Sequence, residues 1–145
     1  MEVKQFRLNQ KGLLRFFGPL EARIMEVLWQ QTEGTIRQVH ETLSKEQFIS
    51  FNAVMTVMNR LVEKGHLSRR REGRMYFYRP VMGKEQFIEA QTKKITHQLV
   101  GEFGELVVSQ MVDVLEEVNP DLLRKLEEHI RQSLAKQLAD GHEST

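Results

Sequence analysis

The stretch from Ser50 to Pro80 constrains the fold of this chain more than any other. Placed at about 100° per residue, Val54, Val57, Met58, Leu61 and Val62 fall on one side of a helix. Asn52, Thr56, Asn59, Arg60 and Glu63 fall on the other. Ser50 is a helix cap by type, and Gly65 stands just past the last periodic residue, the usual place for a glycine stop. The run Leu67-Ser-Arg-Arg-Arg-Glu-Gly-Arg-Met-Tyr-Phe-Tyr-Arg79 follows, two β-prone segments about a Glu72-Gly73-Arg74 turn. A half-buried helix leading into a basic two-stranded ribbon is the plan of a winged helix.

The segments before it complete that plan. Gly18-Pro19 opens a first helix with proline at its first position, and Leu20, Ile24, Val27 and Leu28 set an apolar stripe widened by Met25 and Trp29. That helix is expected to end between Thr32 and Gly34. Thr35-Ile-Arg-Gln38 has the capping-box form and starts a second helix to about Lys45, with Ile36, Val39 and Leu43 inward. Three helices at this spacing form a helix-turn-helix core. Residues 1–17 carry Lys4, Arg7, Lys11 and Arg15 without a sustained period and read as a flexible basic arm.

After Met82 the pattern changes to long helices. A fourth helix is expected from Lys84 to about Gly101, with Ile88, Ile95, Leu99 and Phe103 on one side and Gly104 as a break. A fifth places Val107, Met111, Val114, Leu115 and Val118 on one stripe. Asn119-Pro120 opens a sixth, in which Leu123, Leu126, Ile130, Leu134 and Leu138 recur every three to four residues. Sixty residues supply too few neighbours to cover these stripes, so a second copy of the same region is the expected cover. The fold class expected is therefore mainly α with a small β-hairpin wing. Residues 18–82 form the winged-helix domain, residues 83–140 a helical dimerisation domain and residues 141–145 a tail.

Charge follows the same division. Residues 1–82 hold 14 Lys and Arg against 8 Asp and Glu, while residues 83–145 hold 7 against 12. The basic half suits a polyanion and the acidic half does not. An α-helix fits the major groove of DNA, where base edges are read by directed donors and acceptors or by contact with the thymine methyl. Recognition helix 51–64 offers Asn52, Ala53 and Thr56 near its N-terminus for that purpose, with Arg60 a turn later for base or backbone. Ser50 and the first free backbone N–H groups suit a phosphate. In the wing, residues 67–79, the arginines cannot all meet one backbone because strand neighbours point to opposite faces. Arg71 and Arg74 flank the turn and are the expected phosphate contacts, with Tyr76 beside them. Alternation puts Met75, Phe77 and Arg79 on one face and Tyr76 and Tyr78 on the other, and Phe77 is the expected core residue.

Several classes are set aside. There is no cysteine, so disulfides, thiolate catalysis and thiolate metal sites are absent together. The five histidines do not pair at helical ligand spacing, no HExxH, Gly-rich phosphate loop or Gly-x-Ser-x-Gly elbow occurs, and neither enzyme, metal nor cofactor is expected. The apolar runs are too short for a membrane span, and the N-terminus has no signal-peptide core. The expected location is the cytoplasm. Two rival readings stay open: a winged helix serving as a protein-protein module, and a regulator sensing a small ligand between its domains.

The segments Leu20-Glu-Ala-Arg-Ile-Met-Glu-Val-Leu-Trp29, Asn59-Arg-Leu-Val-Glu-Lys-Gly65 and Glu72-Gly-Arg-Met-Tyr-Phe-Tyr78 together resemble the BlaI/MecI/CopY family of bacterial repressors, over roughly residues 18–138. The resemblance implies a transcriptional repressor that binds a palindromic double-stranded operator as a homodimer joined through its C-terminal helices. The interface residues implied are Val107, Met111, Val114, Leu115, Leu123, Leu126, Ile130 and Leu134. In the antibiotic-resistance branch a membrane sensor with a metalloprotease domain triggers cleavage of the repressor between Asn and Phe in the dimerisation helices. Here the corresponding pair is read as Asp113-Val114, a departure that weakens the case for proteolytic induction. The copper branch binds metal through cysteines that this chain lacks.

Overall fold

The first three α-helices each start at a capping contact to a backbone N–H left without an intrahelical partner. The structure is a computed structural model that describes residues 6–8 and 10–143. In α1 (Pro19–Gln31), the Gly18 N–H donates to Glu21 Oε1 at 3.0 Å, and proline takes the first position. In α2 (Ile36–Ser44) the capping box closes both ways. Gln38 N–H donates to Thr35 Oγ1 at 3.1 Å, and Thr35 N–H to Gln38 Oε1 at 2.9 Å. In α3 (Phe51–Glu63) the Ser50 hydroxyl oxygen accepts from the Ala53 N–H at 3.1 Å. Gly65, with φ +82°, ends α3. Its N–H reaches Val62 O at 3.0 Å and the His66 N–H reaches Leu61 O at 2.9 Å, the paired bonds of a Schellman turn.

The chain then turns straight into β1 (Leu67–Glu72) and β2 (Met75–Pro80), antiparallel with Leu67 opposite Pro80 and Glu72 opposite Met75. That register leaves Gly73 and Arg74 as a two-residue loop, and Gly73 adopts the φ of +63° that such a tight turn needs at its first position. The ribbon is tied down at its root. Gly34 and Tyr78 exchange two backbone hydrogen bonds of 3.0 and 2.8 Å, an isolated bridge from the α1–α2 connection to the ribbon. Thr32 just before it sits at φ +74°, ψ −46°, a strained γ-turn-like backbone for a β-branched residue.

The core of this unit is formed by Ile24, Met25 and Leu28 of α1, Val39 and Leu43 of α2, Val54, Met58 and Leu61 of α3, and Leu67 and Tyr78 of the wing. Tyr78 is 1% exposed whereas Phe77 is only half-buried, so the ribbon turns its tyrosine face inward, not its phenylalanine. The reason is register: Leu67 enters the core first, and with a two-residue loop Tyr78 shares its face.

Two further expectations are corrected. The supposed flexible arm is held at Arg7 and packed from Leu13 onward. Arg7 N–H donates to Arg15 O at 2.8 Å and its guanidinium to Phe17 O at 3.1 Å, around a single 3-10 turn at Gly12–Arg15, and Phe17 is buried. Met1–Gln5 and Asn9, and with them Lys4, lie outside the described residues. The first unit also runs on to Thr92, past the boundary expected at Met82, because the start of α4 (Lys84–Val118) is built into it. Phe87 is fully buried, stacked on Phe17 at 5.1 Å and touching Phe16, Trp29 and His66 at 5.8 Å each. The ring sits in an aromatic socket, so Phe87 and Gln91 face inward while the expected Ile88 is exposed. Trp29 Nε1 donates to Met82 O at 2.9 Å and holds the connection just before it. Truncating a buried phenylalanine of this kind costs about 3–5 kcal/mol.

The second unit, Lys93–Thr145, comprises the rest of α4 and α5 (Pro120–Glu143). Asn119 caps α5, its Oδ1 accepting from the Asp121 N–H at 3.1 Å. Helix α5 continues into the expected tail, as far as Glu143. The break expected at Gly104 falls instead on Phe103, whose φ −127° and ψ 33° are not helical, and the helix resumes at once, so the feature is a kink and not a loop. Among the described residues of this unit none is buried. Val107, Met111, Leu115, Leu123 and Leu126 are half-covered, while Val114, Ile130 and Leu134 are exposed, Leu134 at 55%. No helix of the described residues is long and apolar enough to cross a membrane.

Asp113 and Val114 both lie in regular helix, where a protease cannot seat an extended substrate, whereas Phe103 is 48% exposed at the one non-helical position within α4. Within α4, limited chymotrypsin digestion is therefore expected to cut first after Phe103, identified by mass spectrometry of the earliest fragments. A first α4 cut in residues 106–118 would contradict the kink as the weakest point.

Candidate nucleic-acid interface

The Ser50-capped helix presents one continuous exposed row, Asn52, Thr56 and Arg60, each a turn from the next. Ala53 is half-buried at its margin and Glu63 is exposed at its end. The Ser50 hydroxyl is exposed but already engaged as the cap, leaving its donor free for a second partner. Phe51 and Met55 add an exposed apolar edge beside the row that the polar wheel did not single out. The Phe51 ring lies edge-on to His40 at 5.6 Å, and the His40 Nε2 is 2.8 Å from Ile49 O, so the start of α3 is braced by α2. On the far side, Lys64 Nζ donates to Glu21 Oε2 at 2.9 Å and fastens the end of α3 to α1. Burial pushes the Glu21 carboxyl up, but Lys64 and the Gly18 N–H outweigh it and leave it below the ordinary carboxylate range.

Asn59 departs from its place on the polar wheel. It is half-buried, and its Oδ1 accepts from Arg69 Nη1 at 2.9 Å and from the Tyr78 hydroxyl at 2.8 Å. Only the cross-strand register reveals this, since it alone brings Arg69 opposite Tyr78 and both toward α3.

The wing arginines divide by face. Arg69 and Arg71 share the tyrosine face and flank the Tyr76 ring at 4.8 and 6.0 Å. Arg71 Nε also donates to Gly73 O at 2.9 Å, which holds its stem along the loop. Arg74, second in the loop, is exposed. On the opposite face Arg70 lies over Phe77 at 4.6 Å and is clamped between carboxylates. Its Nη2 is 2.7 Å from Glu33 Oε1 and its Nη1 2.7 Å from Glu72 Oε2. Two carboxylates on one guanidinium offset its charge and raise its already high pKa further. The hydrogen bond from Arg70 in turn holds the Glu33 carboxyl below its ordinary range. Nothing local in the sequence signals this clamp, because Glu33 lies 37 residues before Arg70.

The sequence-predicted DNA residues are thus arranged as follows. Asn52, Thr56 and Arg60 share one exposed face of α3 and Ser50 is exposed at its N-cap, while Arg71, Arg74 and Tyr76 are exposed on the outer half of the wing. The expected interface residues of the second unit are placed on α4 and α5 as described above.

The Glu33–Arg70 contact sets a pH dependence. A lowered carboxyl pKa contributes stability that is complete above the ordinary value of 4.5 and lost as pH falls through the lower folded value. In an NMR titration Glu33 is expected to titrate below 4.5, and Arg70→Ala to move it back up to the ordinary range. An unshifted Glu33 in the unsubstituted protein would mean that the clamp does not hold in solution.

Residues 17–132 match the family model described as penicillinase repressor. The transcriptional regulator BlaI of Mycobacterium tuberculosis is 40% identical over 72 residues, 49% of this chain and 52% of its own length. The penicillinase repressor of Bacillus licheniformis is 31% identical over 117 residues, 75% of this chain and 88% of its own. The chain therefore spans about half the length of the mycobacterial relative. Among solved structures, that of the DNA-binding domain of the repressor BlaI is 28% identical, with a TM-score of 0.44, over 52% of this chain and 90% of that domain.

Proposed function

Because the chain belongs to the penicillinase repressor family, we propose that it is a DNA-binding transcriptional repressor acting in the cytoplasm as a homodimer on a two-fold symmetric operator. Helix α3 enters the major groove. Asn52 and Thr56 read base edges, with Ala53 at the margin for a thymine methyl, and Arg60 reaches base or backbone. Ser50 and the N-terminus of α3 hold a phosphate, and Arg71 and Arg74, backed by Tyr76, hold the flanking backbone. The observation that carries this reading is the exposed row Asn52, Thr56, Arg60 standing beside a wing whose tip arginines pair with no carboxylate among the described residues, while Arg70 is clamped by two. The same row disfavours the protein-protein alternative, which calls for an acidic or apolar face.

Dimerisation falls to the second unit. Val114, Ile130 and Leu134 are exposed on helices whose neighbouring Val107, Met111, Leu115, Leu123 and Leu126 are only half-covered. Each such side chain gains about 1.5–3 kcal/mol on full burial, and a second copy supplies a matching stripe. Should a membrane sensor-protease release the repressor, a cut at Asp113-Val114 would first require unwinding regular helix.

The test is duplex binding across a salt series, using a duplex selected from a random library by the unsubstituted protein and one fixed random duplex. Each phosphate contact contributes about 0.9 to the slope of log affinity against log salt. Arg71→Ala and Arg74→Ala are expected to flatten that slope and weaken both duplexes about equally, and Arg70→Ala to change it much less. Asn52→Ala and Thr56→Ala are expected to cost about 1–3 kcal/mol on the selected duplex with little change on the random one. Failure of the unsubstituted protein to prefer any duplex at moderate salt would sink the repressor reading.

For the dimer, Ile130→Glu or Leu134→Glu is expected to shift the sedimenting species to monomer and to weaken binding to a two-half-site duplex far more than to a single half-site. A dimer that survives both changes would place the interface elsewhere.

A further inference from the structure

We propose that Asn59 is a positioning residue that sets the wing against the recognition helix, so that helix and wing meet one duplex together. The inference rests on the repressor reading above and adds the part that aligns its two contact elements. The amide oxygen of Asn59 receives one donor from each strand of the wing, Arg69 Nη1 of β1 at 2.9 Å and the Tyr78 hydroxyl of β2 at 2.8 Å. Both lone pairs of that oxygen are occupied, so it offers no acceptor to a base.

The two donors do different things. Tyr78 is a core residue whose backbone is paired with Gly34, so its hydroxyl ties α3 to the fixed root of the ribbon. Arg69, directly opposite Tyr78 on β1, stacks over Tyr76, the next ring toward the loop, which Arg71 also covers. Through Arg69 the same amide steadies a stack that ends at the wing's phosphate-directed arginine. A two-stranded ribbon has little stability of its own, and its angle to α3 is set by ties of this kind. A neutral amide suits the place. A carboxylate would accept the same two bonds but add negative charge at a surface meant for a polyanion, and an aliphatic side chain would leave the buried tyrosine hydroxyl without its acceptor.

The experiment compares Asn59→Ala and the milder Tyr78→Phe with the unsubstituted protein, on the selected and random duplexes described above. Asn59→Ala is expected to lower the steepness of the salt dependence by about 1, as loss of a wing arginine does, while the ratio of selected to random affinity changes less than about threefold. Tyr78→Phe, which leaves Arg69 held, is expected to produce a smaller drop of the same kind, and it carries the test if Asn59→Ala fails to fold. A collapsed affinity ratio with an unchanged salt slope would make Asn59 a base reader and overturn the proposal. Unchanged slope and ratio in both variants would overturn it as well, while leaving the repressor reading standing. An unsubstituted protein that prefers no duplex would instead overturn the repressor reading, and this inference with it.

Discussion

Burial of Tyr78 is the constraint on which the arrangement of this protein depends. One side chain joins three parts of the first unit. Its ring lies in the helical core, its backbone pairs with Gly34 between α1 and α2, and its hydroxyl reaches Asn59 on α3. Remove the ring from the core and the ribbon has only its own cross-strand bonds, which for two strands are marginal in water. The buried hydroxyl also explains why tyrosine serves where phenylalanine would pack equally well. A buried O–H without a partner costs about 1–3 kcal/mol, so the tyrosine is sound only because Asn59 is there to accept.

Fixing the tyrosine face inward also sorts the wing's charges. With Leu67 and Tyr78 inward, Arg69 and Arg71 share their face and Arg70 is left on the other, within reach of Glu33. The clamp on Arg70 keeps a basic ribbon from becoming an undirected polycation. Among the described residues no carboxylate pairs with Arg71 or Arg74 where the loop projects, whereas Arg70 on the opposite face is offset by Glu33 and Glu72. Because sequence-independent affinity for DNA rises with each additional phosphate contact, holding one arginine back would favour discrimination over raw affinity in the proposed DNA complex.

Much of this was legible beforehand, and the lapses have physical causes. Local signals carried the helix starts. Thr35 with Gln38, Gly18 with Pro19, Ser50 and Gly65 act over three or four residues, and each governs the end it marks in the structure. Periodicity carried the inner face of α3 for the same reason. What failed was anything decided by distant partners. Phe77 is the more apolar ring, yet register turned Tyr78 inward. The stripe expected for α4 omits Phe87, because its burial depends on a socket formed by Phe16, Phe17 and Trp29, and the same socket draws the supposed loose arm into the fold. The Glu33–Arg70 and Asn59–Arg69 contacts had no local mark at all. The exposed row on α3 was readable because it depends on a helix face alone, whereas the wing's division of labour depends on pairing across strands.

The second unit shows the opposite economy. Asn119 caps α5 and α4 is interrupted only by the kink at Phe103, yet among the described residues of this unit none reaches full burial, and a side chain such as Leu134 remains more than half in water. Helices gain most of their stability from packing an apolar face, not from intrinsic propensity, so stripes this long are unfavourable in isolation and favourable once covered. A single winged helix, for its part, spans one half-site and makes few base contacts, which leaves specific binding close to the background set by phosphates. In the proposed dimer, joining two copies would answer both deficits at once. The stripes would be covered, and the second half-site engaged at an effective concentration set by the linkage, so affinity would rise steeply without a new kind of contact. An agent that separated the stripes would then release the operator without touching either the α3 row or the wing.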